Sequence, residues 1–221
     1  MPLRGRFQAF LAHPLFRPWA GVLAAAVALT MLVMLDALPD EASLVREVQG
    51  WAFPGEAVSD AVRELTATQF VMVLGVLIAI VHQLEGDRRA AMVLIVLLVV
   101  LVVTQAGLKE LVDQPRPSEV ALGIEVCASQ TSPSFPAGHV MGPTVVYGWA
   151  AVMLLRPGTL GAAPWFHRRA RWALAGVLVA IVGLTGIVNV WLGVHWLSDI
   201  VGGYLWGFVL LLPGLVWAMR R

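Results

Sequence analysis

Six apolar runs decide what this chain can fold into. They cover about 19–35, 68–84, 90–108, 139–155, 172–188 and 197–219 of 221 residues. Each is close to the roughly 20 residues that an α-helix needs to cross the hydrocarbon of a bilayer. Hydrocarbon offers no partner to a backbone N–H or C=O, so a run that enters it must pair its own backbone as a helix. Composition points the same way: 59% of the residues are hydrophobic and 13% charged, more apolar surface than one soluble core of this length hides. The expected fold is all-α, a polytopic membrane protein with six transmembrane helices in a single domain over 1–221.

The first run follows a basic leader with Arg4, Arg6 and Arg17, broken by Pro14 and Pro18. Asp36-Ala37-Leu38-Pro39 after it lacks the small-residue site of a cleaved signal peptide, so the run reads as a retained helix. Residues 36–67 are acidic, and Pro54-Gly55 divides them into two short amphipathic segments. Leu44, Val45 and Val48 mark the apolar side of the first, and Val58, Val62 and Leu65 that of the second. Both are expected on the membrane surface or over the helix bundle, packing there or helping to admit lipid. Charge then sets orientation. With the N-terminus in the cytoplasm and six alternating spans, Arg4, Arg6, Arg17, Arg88, Arg89, Arg156, Arg168, Arg169, Arg171, Arg220 and Arg221 lie inside, eleven of fifteen basic residues. Arg46, Arg63, Lys109 and Arg116 remain outside, the asymmetry that the positive-inside rule expects. Both termini are therefore expected in the cytoplasm of a plasma membrane.

Several function classes drop out. No basic run is interleaved with aromatics as nucleic-acid binding would require. The single cysteine, Cys127, excludes an internal disulfide. No zinc-ligand spacing, phosphate-binding P-loop or dinucleotide fingerprint is present. His82, near the end of the second span, reads as a polar helix-end residue, and His13 and His167 fall in basic cytoplasmic segments. Gly203-x3-Gly207 fits close packing of membrane helices. Trp191 and Trp196 are expected at the water–lipid boundary, where indole rings are favoured and could flank an entering lipid.

What remains is a polar, proline-rich loop over 109–138, hung between the third and fourth spans, with the chain's only lysine at one end and Gly138-His139 at the other. Such a loop is costly at a membrane unless it faces water or a substrate. On the six-span layout Lys109, Arg116, His139 and His195 all fall on the extracytoplasmic face. His195 and Asp199 are four apart, so on a helix they share a face. A carboxylate there fixes the tautomer of the ring and supports positive charge on it, leaving the other nitrogen free to attack or to take a proton.

Three segments together resemble the signature of the type-2 phosphatidic acid phosphatase superfamily, which also holds bacterial acid phosphatases and vanadium haloperoxidases. The family pattern is Lys-x6-Arg-Pro, then Pro-Ser-Gly-His, then Ser-Arg-x5-His-x3-Asp. This chain has Lys109-x6-Arg116-Pro117 in full, Pro136-Ala137-Gly138-His139 with one change, and Val188-Asn189-x5-His195-x3-Asp199 with two. The resemblance implies that His195 is the nucleophile that forms a phosphohistidine, that Asp199 orients it, and that His139 protonates the leaving oxygen. It implies that Lys109 and Arg116 hold the phosphoryl oxygens, with the Gly138 N–H at a helix start, and that no metal or other cofactor is needed. Two positions depart from the pattern. Ala137 lacks the family hydroxyl, and Asn189 replaces an arginine, removing a charge and a bidentate fork.

The function expected from the resemblance is an integral membrane phosphatase acting on a lipid phosphomonoester or diphosphate. Candidate substrates are undecaprenyl diphosphate, phosphatidic acid, phosphatidylglycerol phosphate and lipid A phosphates. Two alternatives stay open: a lipid-phosphate binder or transporter with weakened or lost catalysis, or a phosphotransferase using the same site. The partners are then the lipid phosphate and the surrounding membrane lipids, with no nucleic acid.

Overall fold

The structure, a computed structural model, describes residues 13–117, 123–124, 132–156 and 168–219. Cys127, His167, Arg4, Arg6, Arg220 and Arg221 lie outside the described residues. The described residues form eight helices: α1 Phe16–Met34, α2 Glu41–Gln49, α3 Gly55–Thr66, α4 Thr68–Leu84, α5 Arg88–Val112, α6 Gly138–Leu155, α7 Arg168–Trp191 and α8 Leu197–Met219. Five of them, α1, α5, α6, α7 and α8, are long and apolar enough to cross a membrane. Counted as one bent span, α3 and α4, which meet at 49°, bring the candidate crossings to six. This is an all-helical, multi-pass membrane protein.

Helix ends differ from the apolar runs where backbone pairing outlasts side-chain hydrophobicity. The third run stops at about 108, yet α5 continues to Val112 and closes on Asp113 in the left-handed conformation (φ 46°). Lys109 therefore sits within the last turn of a helix and not in the loop after it. At the other end of α5, Asp87 caps the helix by accepting from Ala90 N at 3.1 Å. The same carboxylate pairs with Arg156 at 2.7 Å, tying the start of α5 to the end of α6.

The core is built by α4, α5, α6 and α8. Val71, Leu94, Leu98, Met141, Val145, Trp149, Leu211 and Leu215 are all buried in one cluster. The most buried helix is α6, and α1 lies outermost. Small residues let α8 reach α6: a Cβ on Gly207 would sit 2.7 Å from Thr144, and one on Gly203 would sit 2.9 Å from the Ala137 carbonyl. The expected close packing of Gly203 and Gly207 is thus present, and its partner is the start of α6. Two tryptophans fasten α1 to α8. Trp206 Nε1 donates to Thr30 Oγ1 at 3.1 Å, and Trp19 Nε1 donates to Val209 O at 3.0 Å. Pro213, four residues on, has no N–H to give that carbonyl, so the indole completes a backbone pair that the helix cannot make.

The short helices α2 and α3 lie over the bundle ends. Val45 packs with Val140, Val190, Trp196 and Ile200, and Val62 with Val188, Leu192 and Val194. Leu44 and Leu65, expected on the same apolar sides, are exposed instead. His82 also differs from expectation. It is buried, and its Nε2 accepts from Trp149 Nε1 at 3.2 Å inside the core, so it is a structural hydrogen-bond partner of α6.

Candidate active site

Three stretches of backbone meet at one end of the bundle: the end of α5 with 113–117, the segment 132–138 that leads into α6, and the turn 192–196 that leads into α8. Arg116 holds them together. It is 3% exposed. Its Nε donates to Ser132 O at 2.9 Å and its Nη2 to Ser132 Oγ at 3.3 Å. Its Nη1 donates to Val194 O at 2.6 Å and lies 3.5 Å from His195 Nε2. Lys109 Nζ donates to Pro133 O. The two motif cations thus reach across the loop to the far segments, although nothing in their sequence spacing specifies those partners.

His195 and Asp199 do not share a helix face as the four-residue spacing suggested. His195 lies in the turn before α8, and Asp199 is the third residue of that helix. They meet because the carboxylate bends back over the helix start. Asp199 Oδ2 accepts from Trp196 N at 2.7 Å, from His195 Nδ1 at 3.1 Å and from Ser134 Oγ. Oδ1 is buried without a partner among the described residues. With its proton held on Nδ1 by this carboxylate, His195 presents the Nε2 lone pair beside Arg116. Burial drives the His195 pKa below the usual imidazole range, against the opposing pull of the Asp199 bond and charge. A neutral ring with its proton on Nδ1 and a lone pair on Nε2 can act as a nucleophile.

The start of α6 supplies the opposite wall. Ala137 N donates to Asp199 O at 3.0 Å, so that N–H is engaged. Those of Gly138 and His139 make no hydrogen bond among the described residues and stand at a helix N-terminus, where anions are favoured. Gly138 lies against the Gln105 amide: a Cβ there would come 2.4 Å from Gln105 Nε2, so any side chain would push that amide aside. His139 is the second residue of α6 and His195 lies in the turn that leads into α8, so the Ala137–Asp199 backbone bond puts both imidazoles at the same end of the bundle. Asn189 is set apart: it is buried and its Nδ2 donates to Thr185 O at 2.8 Å, back along its own helix.

Several residues around this cup escape a reading of motifs. Ser134 reaches Asp199 from within the loop, and Gln105 lies one turn before Lys109. Glu41, on α2, accepts from Ser198 N at 2.7 Å through Oε1 and from Ser198 Oγ at 2.8 Å through Oε2, capping the start of α8 beside Asp199. Burial pushes the Glu41 carboxyl above its ordinary pKa, against the lowering effect of the two Ser198 bonds. Of these, only Gln105 carries a sequence signal, its four-residue spacing from Lys109. Trp196 is not the lipid-facing indole expected at a boundary. It is 8% exposed, and its Nε1 donates to Pro115 O at 2.8 Å, closing the floor of the cup. A neighbouring cavity of about 510 Å³ is bordered by Asp36, Asp40, Glu41 and Asp113. Its acidic lining repels a phosphate, which distinguishes it from the cationic cup. Among the described residues no group of three or more His, Cys, Asp or Glu side chains is arranged to hold a metal ion.

A bundle of apolar helices that gathers two histidines, an aspartate, a buried arginine and a half-buried lysine at one end defines a class: a helical membrane protein with a cluster of polar and charged side chains at its helix termini. Residues 90–221 match the family described as the PAP2 superfamily. The chain belongs to that superfamily. It is 32% identical over 103 residues to phosphatidylglycerophosphatase B of Bacillus subtilis (strain 168), a match that covers 47% of this chain and 45% of that protein. The chain thus spans about half the length of the curated relative it matches. Its fold is that of a solved structure, the transmembrane PAP2 type phosphatidylglycerolphosphate phosphatase from Bacillus subtilis, with a TM-score of 0.67 at 21% identity. That likeness covers 90% of this chain and 97% of the other.

Proposed function

We propose that this protein is a metal-independent lipid phosphatase that works through a phosphohistidine at the extracytoplasmic face of the membrane. The observation that carries the reading is the His195 ring, held through Nδ1 by Asp199 with its Nε2 turned toward Arg116. Nε2 attacks phosphorus, the bond from phosphorus to the lipid oxygen breaks, and His139 gives its proton to that oxygen. Asp199 supports the positive charge that the phosphorylated ring then carries. Water next attacks phosphorus, the P–N bond breaks, and His139 takes back a proton. Lys109, Arg116 and the Gly138 N–H are fixed donors for charge that spreads over the phosphoryl oxygens.

The substrate is a lipid phosphomonoester or diphosphate, and phosphatidylglycerophosphate, named for the curated relative, is the first to test. Phosphate release should be measured with purified protein in detergent across a panel that also holds phosphatidic acid, undecaprenyl diphosphate and a lipid A phosphate. Release that vanishes in His195→Ala is the expected result. Tight binding without release in the unaltered chain would overturn catalysis in favour of a lipid-phosphate binder. The engaged amide of Asn189 and the missing hydroxyl at Ala137 favour that second reading. Transfer of phosphate to an added lipid alcohol would mark a phosphotransferase.

A further inference from the structure

We propose that Arg63 is a third phosphoryl-binding cation of this site, contributed by α3 from outside the stretch that matches the family. The inference rests on the phosphatase reading and names a residue that the motifs do not contain. Its helix is clamped against both walls of the cup. One residue before it, Val62 is buried against Val188, Leu192 and Val194, which bracket Asn189 and adjoin His195. Two residues after it, the carbonyl of Leu65 accepts from the Tyr147 hydroxyl of α6, the helix that His139 begins. Arg63 thus lies on a short helix fixed to the supports of both histidines, near enough for its charge to bear on the His139 ring.

The state of its side chain makes the case. Arg116 already spends Nε, Nη1 and Nη2 on Ser132 and Val194, and Lys109 Nζ donates to Pro133 O. Arg63 is half-buried and makes no hydrogen bond or ion pair among the described residues. Arg63 sits between the two residues, Val62 and Leu65, through which its helix is pinned to the supports of the cup. A guanidinium fork left unspent there matches two phosphoryl oxygens. Asn189 cannot serve in its place while its amide is bonded to Thr185 O.

The test compares the full chain with Arg63→Ala and Arg63→Lys, reading kcat/KM for phosphate release and the inhibition or binding constant of inorganic phosphate. Arg63→Ala is expected to lower kcat/KM by about 10²-fold and to weaken phosphate binding by roughly ten-fold. Arg63→Lys, which keeps the charge and loses the fork, should fall between. Adding Asn189→Arg to Arg63→Ala should recover at least part of the loss. If Arg63→Ala does not purify folded, Arg63→Gln carries the same two readouts. A neutral variant that equals the unaltered chain in both readouts overturns the proposal. An unaltered chain that binds phosphate through Arg63 but releases none from lipid leaves the proposal standing and removes the phosphatase reading. A chain that does neither removes both.

Discussion

Asp199 Oδ2 accepts from a serine hydroxyl, an imidazole and a backbone N–H at once, and the role of each can be tested singly. Ser134→Ala removes one donor from a buried carboxylate. It should cost about 1–3 kcal/mol of stability, seen as a lower midpoint in thermal unfolding. It should also lower kcat with little change in KM, since Ser134 positions the proposed nucleophile and is not a motif phosphate contact. A kcat unchanged in a folded Ser134→Ala protein would show that Asp199 needs no such support. His195 offers a second test, in pH. Burial depresses its folded pKa, so the unfolded chain takes up the proton first, and stability present at neutral pH is lost as pH falls below about 6.5. His195→Asn should flatten that part of the curve. Melting temperatures of both proteins at pH 7.5 and 5.5 give the comparison, and parallel shifts would assign the acid sensitivity to other groups.

At the scale of elements, the site depends on helix ends that are fastened from outside the bundle. Glu41 belongs to α2, yet it occupies two donors at the start of α8, one residue from Asp199. Glu41→Ala leaves a buried N–H and hydroxyl unpaired and should destabilise the protein by about 1–3 kcal/mol. It should also reduce turnover without abolishing it. Glu41→Gln, which can still accept one bond, should lie between, and equal turnover in all three would mean that α2 only covers the bundle. The motif spacings made the residues of α5, α6 and α8 legible, because each motif is local to one helix boundary. The acidic arm gave no such sign. An amphipathic pattern shows that Val45 and Val62 are buried somewhere, but not that α2 brings Glu41 to Ser198 beside Asp199.

For the molecule as a whole, the arrangement of the ends carries a prediction about sidedness. Lys109, Arg116, the start of α6 and the turn before α8 meet at one end, whereas the Asp87–Arg156 pair joins the other. The excess of arginine on the second side argues that it faces the cytoplasm. A reporter active only in the cytoplasm should therefore work when fused after residue 219 or inserted in the turn at 85–87, and fail when inserted at 50–52. Activity at 50–52 would invert the topology and move the cup to the cytoplasm.

The six apolar runs alone required a helical membrane protein, because hydrocarbon leaves an unpaired backbone no other partner. The three spaced motifs alone singled out His139, His195, Asp199, Lys109 and Arg116 as candidates, because residues that flank one helix boundary keep their spacing in the chain. Which carbonyls hold the two cations, why Ser134 and Glu41 lie beside Asp199 and that Asn189 turns away were decided only by tertiary structure. Those contacts join residues far apart in the chain, and their geometry comes from how helix ends dock, which no local pattern encodes.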